Sequence, residues 1–290
     1  MNHGSFFARL FRGSRWAWQS DRHVASLPVD LDATVMGLQA RDRLHEKQGR
    51  STARVVFRAD SGEALPTYLK RHYSLPWPER LSALLNPAGR HSPATAEFAH
   101  LEHARSLGVP VPEVVAAGER IGPWGRLESY LIVAELTGSD ELNLIIPRLA
   151  AQLDPETFAR SKRLIIARMA ELTARLHADH CFHKDLYLCH FYLDPATATM
   201  EPPALSVIDL HRMGRHRWTA WRWRTKDLAQ LLFSTRGVVG INGRDILRFW
   251  KHYRAWAEPR RPHWQAEMIR RKAGRYERHN AGPDRVGGSN

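Results

Sequence analysis

Two acidic residues with histidines beside them stand near the middle of the chain. Asp185 lies in His183-Lys184-Asp185-Leu186-Tyr187-Leu188-Cys189-His190, and Asp209 closes Leu205-Ser206-Val207-Ile208-Asp209. A long apolar helical stretch runs into the first. The second ends a short run that reads as a strand. The spacing predicts two carboxylates at the ends of neighbouring extended segments, about a hairpin apart. Transfer of a phosphoryl group from ATP uses such a pair: one carboxylate accepts the proton of the attacking hydroxyl, and the other holds Mg²⁺ on the phosphates. The structural alternative is that H-x-D is a common tripeptide and that Asp209 merely ends a strand. The helix before, and the apolar strand with its terminal Asp after, favour the phosphotransfer reading.

Protein kinases carry the same order of parts, HRDLxxxxN followed by DFG. The elements that would position such a site can be read upstream. Leu44–Gln48, Ala53–Arg58 and Pro66–His72 are predicted strands, with turns at Gly49-Arg50-Ser51 and Asp60-Ser61-Gly62. Three antiparallel strands with a lysine on the third fit an upper kinase lobe, where Lys70 would reach the α- and β-phosphates. Strand alternation alone reads Lys70 as a surface lysine. Gly49 is the only glycine where a phosphate-covering loop belongs, so GxGxxG is absent and the backbone N–H groups of 49–52 would cover phosphate less closely. Residues 74–93, rich in Pro, read as a linker or an insertion. A helix from Glu97 to Leu107 follows, closed by Gly108. Glu97 either complements the helix dipole or pairs with Lys70. Val109–Ala117 and Ser129–Leu136 are further strands, and backbone groups at Glu135 and Leu136 are candidates for adenine. Asp154-Pro155 opens a helix as cap and first residue, with Ile165, Met169, Leu172 and Leu176 as its buried stripe.

After Asp209, arginines alternate with tryptophans: Arg212, Arg215, Arg217, Arg222 and Arg224 with Trp218, Trp221 and Trp223. Guanidinium groups grip carboxylates and phosphates bidentately, which makes Arg212, Arg215, Arg222 and Arg224 candidates for an anionic acceptor. The alternative is a solvated basic loop with core tryptophans. Asp227 reads as the cap of a helix over Leu228–Phe233, and a second amphipathic helix runs from Asp245 to about Trp256. The stretch from Arg270 is basic and poor in apolar residues, which predicts disorder.

Composition narrows the class. A chain of 290 residues suits one two-lobed unit, and 43% apolar content supports a sizeable core. The net charge of +13 and the isoelectric point near 10.3 predict an anionic partner: nucleic acid, an acidic membrane face or phosphorylated substrates. No apolar run reaches the roughly 18 residues of a membrane-spanning helix, and the first residues do not read as a signal peptide. Cys181 and Cys189 are the two cysteines. They predict a reducing, cytoplasmic setting rather than a disulfide framework, and Cys189 with His190 falls far short of a zinc site. Phe6, Phe7, Leu10 and Phe11 alternate with Arg9, Arg12 and Arg15 ahead of Trp16 and Trp18. This predicts either a basic amphipathic helix lying on anionic lipid, a short helix packed on the main domain, or a frayed terminus.

Several segments resemble the Kdo/WaaP lipopolysaccharide kinase family, the core heptose kinases. They are EFAHLEHARSLGVP, IARMAELTARLHADHCFHKDLYLCHFYL, LSVIDLHRM, and WRTKDLAQLLFS with GINGRDILRFWKHY. The similarity keeps its order over about residues 44–256. It implies an α+β, two-lobed protein-kinase-like fold, with an antiparallel-sheet N-lobe over 42–136 and a mainly helical C-lobe over 137–269. Residues 1–41 would be an N-terminal extension and 270–290 a tail. It implies ATP and Mg²⁺ as cofactors and a heptose or Kdo hydroxyl of the lipopolysaccharide inner core, or another lipid-linked sugar, as acceptor. The setting would be the cytoplasmic face of the inner membrane, with peripheral contact to anionic lipid and no nucleic acid partner. Carried onto this sequence, Lys70 and Glu97 are an ion pair, Asp185 the catalytic base and Asp209 the Mg²⁺ ligand. His190 stands where protein kinases have Asn, beside nucleotide and metal. The alternatives are a protein kinase acting on Ser, Thr or Tyr, and an inactive kinase fold that binds anionic glycolipid or nucleic acid.

Overall fold

The computed structural model describes residues 14–38, 43–47, 49–59, 62–74, 91–122, 127–257 and 261–280, with the short pieces 78–79, 81 and 85. The chain divides into two compact units. One comprises residues up to His103 with Pro112–Glu135; the other comprises Ala104–Val111 and everything from Leu136.

The first unit is a six-stranded antiparallel sheet. Its strands are β1 (Ser14–Gln19), β2 (Arg43–Lys47), β3 (Arg50–Arg58), β4 (Ala64–His72), β5 (Val114–Ile121) and β6 (Leu127–Ala134), in the order β1-β5-β6-β4-β3-β2. Ser14–Gln19 alternates, with Trp16 and Trp18 half-buried and Arg15 and Ala17 exposed, so it has the period of a strand. It pairs with β5 from Ser14–Ile121 to Gln19–Ala116, and both indoles pack on Phe98, at 5.4 and 5.0 Å between ring centroids. Trp16 and Trp18 therefore do not belong to a membrane-facing helix; the helical period of the preceding phenylalanines does not carry into them. Residues 1–13, with Phe6, Phe7, Leu10 and Phe11, lie outside the described residues.

Residues 14–38 also depart from the reading of 1–41 as an appended extension. Leu31 and Val35 of α1 (Leu31–Gly37) are buried among Phe57, Leu69, Val115, Tyr130 and Ile132. Arg71, 2% exposed, donates to the carbonyl oxygens of Val35 at 3.1 Å and Leu38 at 2.7 Å, and to Ser51 Oγ at 3.0 Å. It satisfies carbonyls that a helix end leaves open. Tyr130 Oη donates to Asp32 at 2.6 Å from the same helix.

Some boundaries shift for local reasons. Gly49, at φ +76°, makes its turn without Arg50 and Ser51, which are already paired in β3. β5 starts at Val114 rather than Val109, because Pro110 and Pro112 have no N–H to give a ladder. Helix α2 (Pro93–Ser106) begins four residues before Glu97, since Ser92 Oγ accepts the Thr95 N–H at 3.2 Å and caps it there.

The second unit contains β7 (Asp140–Glu141), α3 (Leu142–Gln152), α4 (Pro155–Ala178), β8 (Cys181–Phe182), β9 (Phe191–Leu193), β10 (Leu205–Val207), β11 (Gly214–Arg215), α5 (Ala220–Ser234), α6 (Gly243–Ala257) and α7 (Pro262–Asn280). Its small antiparallel sheets run β10-β9-β7 and β11-β8. Asp154 caps α4 by accepting the N–H groups of Glu156 and Thr157, and the stripe Ile165, Met169, Leu172 and Leu176 is buried. Ala170 and Ala174 leave room on α4 for Tyr253 of α6 and for Leu228 of α5. The predicted disorder from Arg270 fails as far as Asn280. Ile269 and Ala273 pack into this same core, so α7 is held by burial rather than by its polar sequence. Residues 281–290 lie outside the described residues. An apolar cavity of about 130 Å³ sits among Ile146, Ile165, Leu231, Ile246, Phe249 and Trp250. The buried pair Lys162–Asp245, at 2.8 Å, lies at its wall. Among the described residues no helix is long and apolar enough to cross a membrane.

Candidate active site

In the first unit, Lys70 on β4 donates to Glu97 Oε1 on α2 at 2.6 Å. The Glu97 side chain is 3% exposed and that of Lys70 23%. A carboxylate that deep needs its cation. The start of α2 is fixed by Glu119, a residue without a sequence signal. Its Oε2 accepts from Ser92 N at 2.6 Å and Thr95 Oγ1 at 2.8 Å, which holds the helix end carrying Glu97 against β5. Gly49 closes on Tyr73, whose N–H it accepts at 2.7 Å. Its missing Cβ would stand 3.0 Å from Ser74 Cβ, so close packing and a positive φ both require glycine. Glu135 is engaged at both ends. Its N–H donates to Pro66 O at 2.9 Å, and its carboxylate forks with Arg54 at 2.7 and 2.9 Å. The Leu136 carbonyl accepts from Ser139 N at 3.1 Å. The Glu135 N–H is thereby engaged within the protein, while the Leu136 carbonyl accepts one internal bond and keeps its second lone pair.

In the second unit, the segment 183–190 is held by one face of α5. Asp227 does not cap that helix, which begins seven residues earlier at Ala220. It is fully buried, and its two oxygens accept the backbone N–H groups of His183 and Lys184, each at 2.8 Å. One turn on, Gln230 donates to Asp185 Oδ1 at 3.2 Å and to Tyr187 Oη at 3.0 Å; one turn further, Ser234 Oγ accepts from Leu188 N at 2.8 Å. Lys226 Nζ donates to the Lys184 carbonyl. The i, i+3/i+4 spacing of Asp227, Gln230 and Ser234 puts them in one column, with Lys226 beside it. Lys184 is left-handed at φ +67°, a conformation non-glycine residues adopt when their surroundings enforce it. His177 and His183 are buried, and loss of hydration pushes both below the usual histidine range. Neutral His183 donates through Nε2 to Ile208 O at 2.9 Å, which ties the loop to the strand leading to Asp209.

Asp209 is also left-handed, at φ +61°. His190 Nδ1 lies 2.7 Å from the carbonyl oxygen of Asp185, an acceptor only, so Nδ1 carries the proton. Its Nε2 faces Asp209 Oδ2 at 3.8 Å, while Asp209 Oδ1 meets His211 Nδ1 at 2.6 Å. A hard carboxylate with an imidazole beside it fits a divalent cation, Mg²⁺ favouring the oxygen.

The four candidate arginines have different partners. Arg212 Nη1 donates to Asp185 Oδ2 at 2.9 Å, and Arg215 pairs with Asp179 at 2.9 Å. Arg222 lies over the Trp223 ring at 5.5 Å. The half-buried Arg224 keeps its Nε without a hydrogen-bond partner. Sequence reading missed Asp227, Gln230, Lys226 and His177. The signal for Lys226, Asp227 and Gln230 is a polar spacing of three to four residues inside α5; His177, on α4, carries none.

An antiparallel sheet with a Lys–Glu pair, and a helical unit with an H-x-D loop followed by a strand ending in Asp, define the protein-kinase-like class. The chain belongs to the lipopolysaccharide kinase (Kdo/WaaP) family, whose family model matches residues 38–253. It is 32% identical over 211 residues to the lipopolysaccharide core heptose(I) kinase WaaP of Pseudomonas aeruginosa, covering 72% of this chain and 75% of the relative. It is 35% identical over 188 residues to the WaaP of Escherichia coli, covering 64% and 69%. A solved structure of WaaP in complex with acyl carrier protein matches with a TM-score of 0.67 at 28% identity, over 90% of this chain and 98% of that one.

Proposed function

We propose that this protein is an ATP-dependent sugar kinase that phosphorylates a heptose hydroxyl of the lipopolysaccharide inner core. The observation that carries the chemistry is the hydrogen bond from His190 Nδ1 to the Asp185 carbonyl. It ties the ring that stands beside Asp209 to the loop of the base. The acceptor follows from family membership and from the relatives' activity.

In this reading Asp185 orients the sugar hydroxyl and takes its proton during attack on the γ-phosphorus. Gln230 and the Asp227-braced backbone hold its carboxylate in place. Lys70, steadied by Glu97, neutralises the α- and β-phosphates. Asp209, with His190 beside it, would hold Mg²⁺, which when bound supplies charge neutralisation on the phosphates. Glu135, Leu136 and Gly49 would border the nucleotide through the groups their internal bonds leave over. The high positive charge suits an acidic glycolipid at an anionic membrane face, where the enzyme would sit peripherally. ATP consumption with purified core lipopolysaccharide, with and without Mg²⁺, followed by mass analysis of the acceptor, tests this. One added phosphate on a heptose is expected; phosphate appearing only on protein would move the reading to a protein kinase.

A second partner is favoured by a separate observation. The structural neighbour binds an acyl carrier protein, and the second unit here has an apolar cavity walled by Ile165, Leu231 and Phe249. An acyl-carrier partner would place its chain there. Thermal stabilisation by acylated but not by unacylated carrier protein is the expected result.

A further inference from the structure

A cluster of cations beside Asp185 is not used by the chemistry described above. Lys184 Nζ lies 5.0 Å and Lys226 Nζ 5.7 Å from the centre of the Trp223 ring. The His216 ring stacks on the same indole at 4.7 Å. Arg212 approaches from the other strand of the loop, bound to Asp185. The carboxylates facing this group are those of Asp185 and Asp227, and both are occupied: Asp185 by Arg212 and Gln230, Asp227 by two backbone N–H groups. Among the described residues no carboxylate ion-pairs with Lys184 Nζ or Lys226 Nζ. The indole face offsets part of the charge but offers no acceptor.

Two atoms of this cluster converge on one point. A Cβ built on Gly214 would stand 2.4 Å from Lys184 Nζ and 3.2 Å from His216 Nε2. His216 Nε2 is buried and has no hydrogen-bond partner. Glycine at 214 thus makes room for the Lys184 ammonium, which occupies the place of a side chain there, with the imidazole nitrogen of His216 beside it. Burial and mutual repulsion push Lys184 and Lys226 below the usual lysine range. Lys226 Nζ spends one donor on the Lys184 carbonyl, and partly desolvated cations without a counter-ion destabilise a fold unless an anion joins them.

We propose that Lys184, His216, Lys226 and Arg212, gathered beside Gly214, form a binding site for an oxyanion of the acceptor. The group is a carboxylate or phosphate monoester on the sugar chain near the hydroxyl that is phosphorylated. The proposal rests on the sugar-kinase reading for the identity of the acceptor. Binding there gives Arg212 a second anion beside Asp185, and it fixes the acceptor next to the base by charge-assisted bonds. It makes the enzyme select acidic cores.

The test has a binding arm and a kinetic arm. Chemical-shift titration of the nucleotide-free protein with free Kdo, and separately with inorganic phosphate, follows the Trp223 indole resonance. Lys184→Met keeps the stem on the indole and removes the charge; Gly214→Ala displaces the Lys184 ammonium and keeps every charge; His216→Gln is the third variant. Each is first shown to melt with the wild type. Affinity for at least one anion should fall about tenfold in Lys184→Met and in Gly214→Ala, the loss of one charge-assisted bond. No anion binding to the wild type, or equal binding in all variants, overturns the proposal. In the kinetic arm the acceptor is used intact, carboxyl-reduced or phosphatase-treated. For the wild type one treatment should raise the acceptor KM about tenfold, identifying which oxyanion is bound, and Lys184→Met should erase the difference while leaving the KM for ATP unchanged. Treated acceptors that perform like the intact one overturn it as well. If no acceptor form is phosphorylated, the sugar-kinase reading fails, and the anion titration still decides the site.

Discussion

Asp227 Oδ2 accepts the backbone N–H of His183 at 2.8 Å from the middle of a helix. A fully buried carboxylate is thereby used to hold backbone, and its other oxygen does the same for Lys184. The left-handed turn that presents Asp185 depends on this brace rather than on local sequence preference.

Asp227→Ala should leave both N–H groups buried without acceptors. The expected cost is about 3 kcal/mol or more, seen as a melting temperature lower by about 5–10 °C, with kcat reduced even well below that temperature. Calorimetric scanning beside steady-state rates checks it. A variant with wild-type melting and turnover would show the brace to be dispensable.

The two site carboxylates should separate by phenotype. Asp185→Asn keeps the shape and removes the base, so nucleotide binding should persist while kcat falls about 10²–10⁴-fold. Asp209→Asn removes the oxygen anion suited to a divalent cation, so the Mg²⁺ dependence of nucleotide binding should weaken along with the rate. Titration calorimetry with and without Mg²⁺, beside single-turnover rates, resolves them. Full phosphotransfer by Asp185→Asn would sink the assignment of the base.

The Lys70–Glu97 pair gives a graded expectation. Lys70→Met removes the ammonium, and kcat/KM for ATP should fall about 10²-fold. Glu97→Gln retains an acceptor for Lys70 without its charge and should cost about tenfold. In both, the acceptor KM should move less than the ATP KM. Equal changes for both substrates would make the pair a structural one.

Acid should weaken the fold through His177 and His183. Burial holds both below the usual histidine range in the folded protein. The unfolded chain therefore binds more protons as pH drops through about 6.5, and stability falls with it. The contribution is fully present above that pH and is lost as pH falls toward the folded values. Each histidine adds a slope of up to about 1.4 kcal/mol per pH unit. Denaturant unfolding at pH 7.5, 6.5 and 5.5 measures it. His183→Asn should reduce the slope by one proton's worth, and an unchanged slope would place the acid sensitivity elsewhere.

The local pattern was enough for the site's ingredients. His183-Lys184-Asp185 and Asp209 could be found because each sits where an apolar periodic run ends, and hydrophobic periodicity is written in consecutive residues. Asp154 as a cap, the strand bearing Lys70 and the helix bearing Glu97 were legible for the same reason. What holds these parts was decided by tertiary structure. Asp227 had the sequence appearance of a helix cap, and only the packing of α5 under the loop shows it bonded to backbone 44 residues away. Glu119 reaches the start of α2 from another strand, and Arg71 closes a helix 33 to 36 residues upstream. Ser14–Gln19 is a strand because the edge of β5 was there to pair with, and α7 is ordered because Ile269 and Ala273 found a core. Buried polar groups must be satisfied by whatever partner the fold brings within hydrogen-bond reach. That partner is set by distance in space, which a reading of neighbouring residues does not contain.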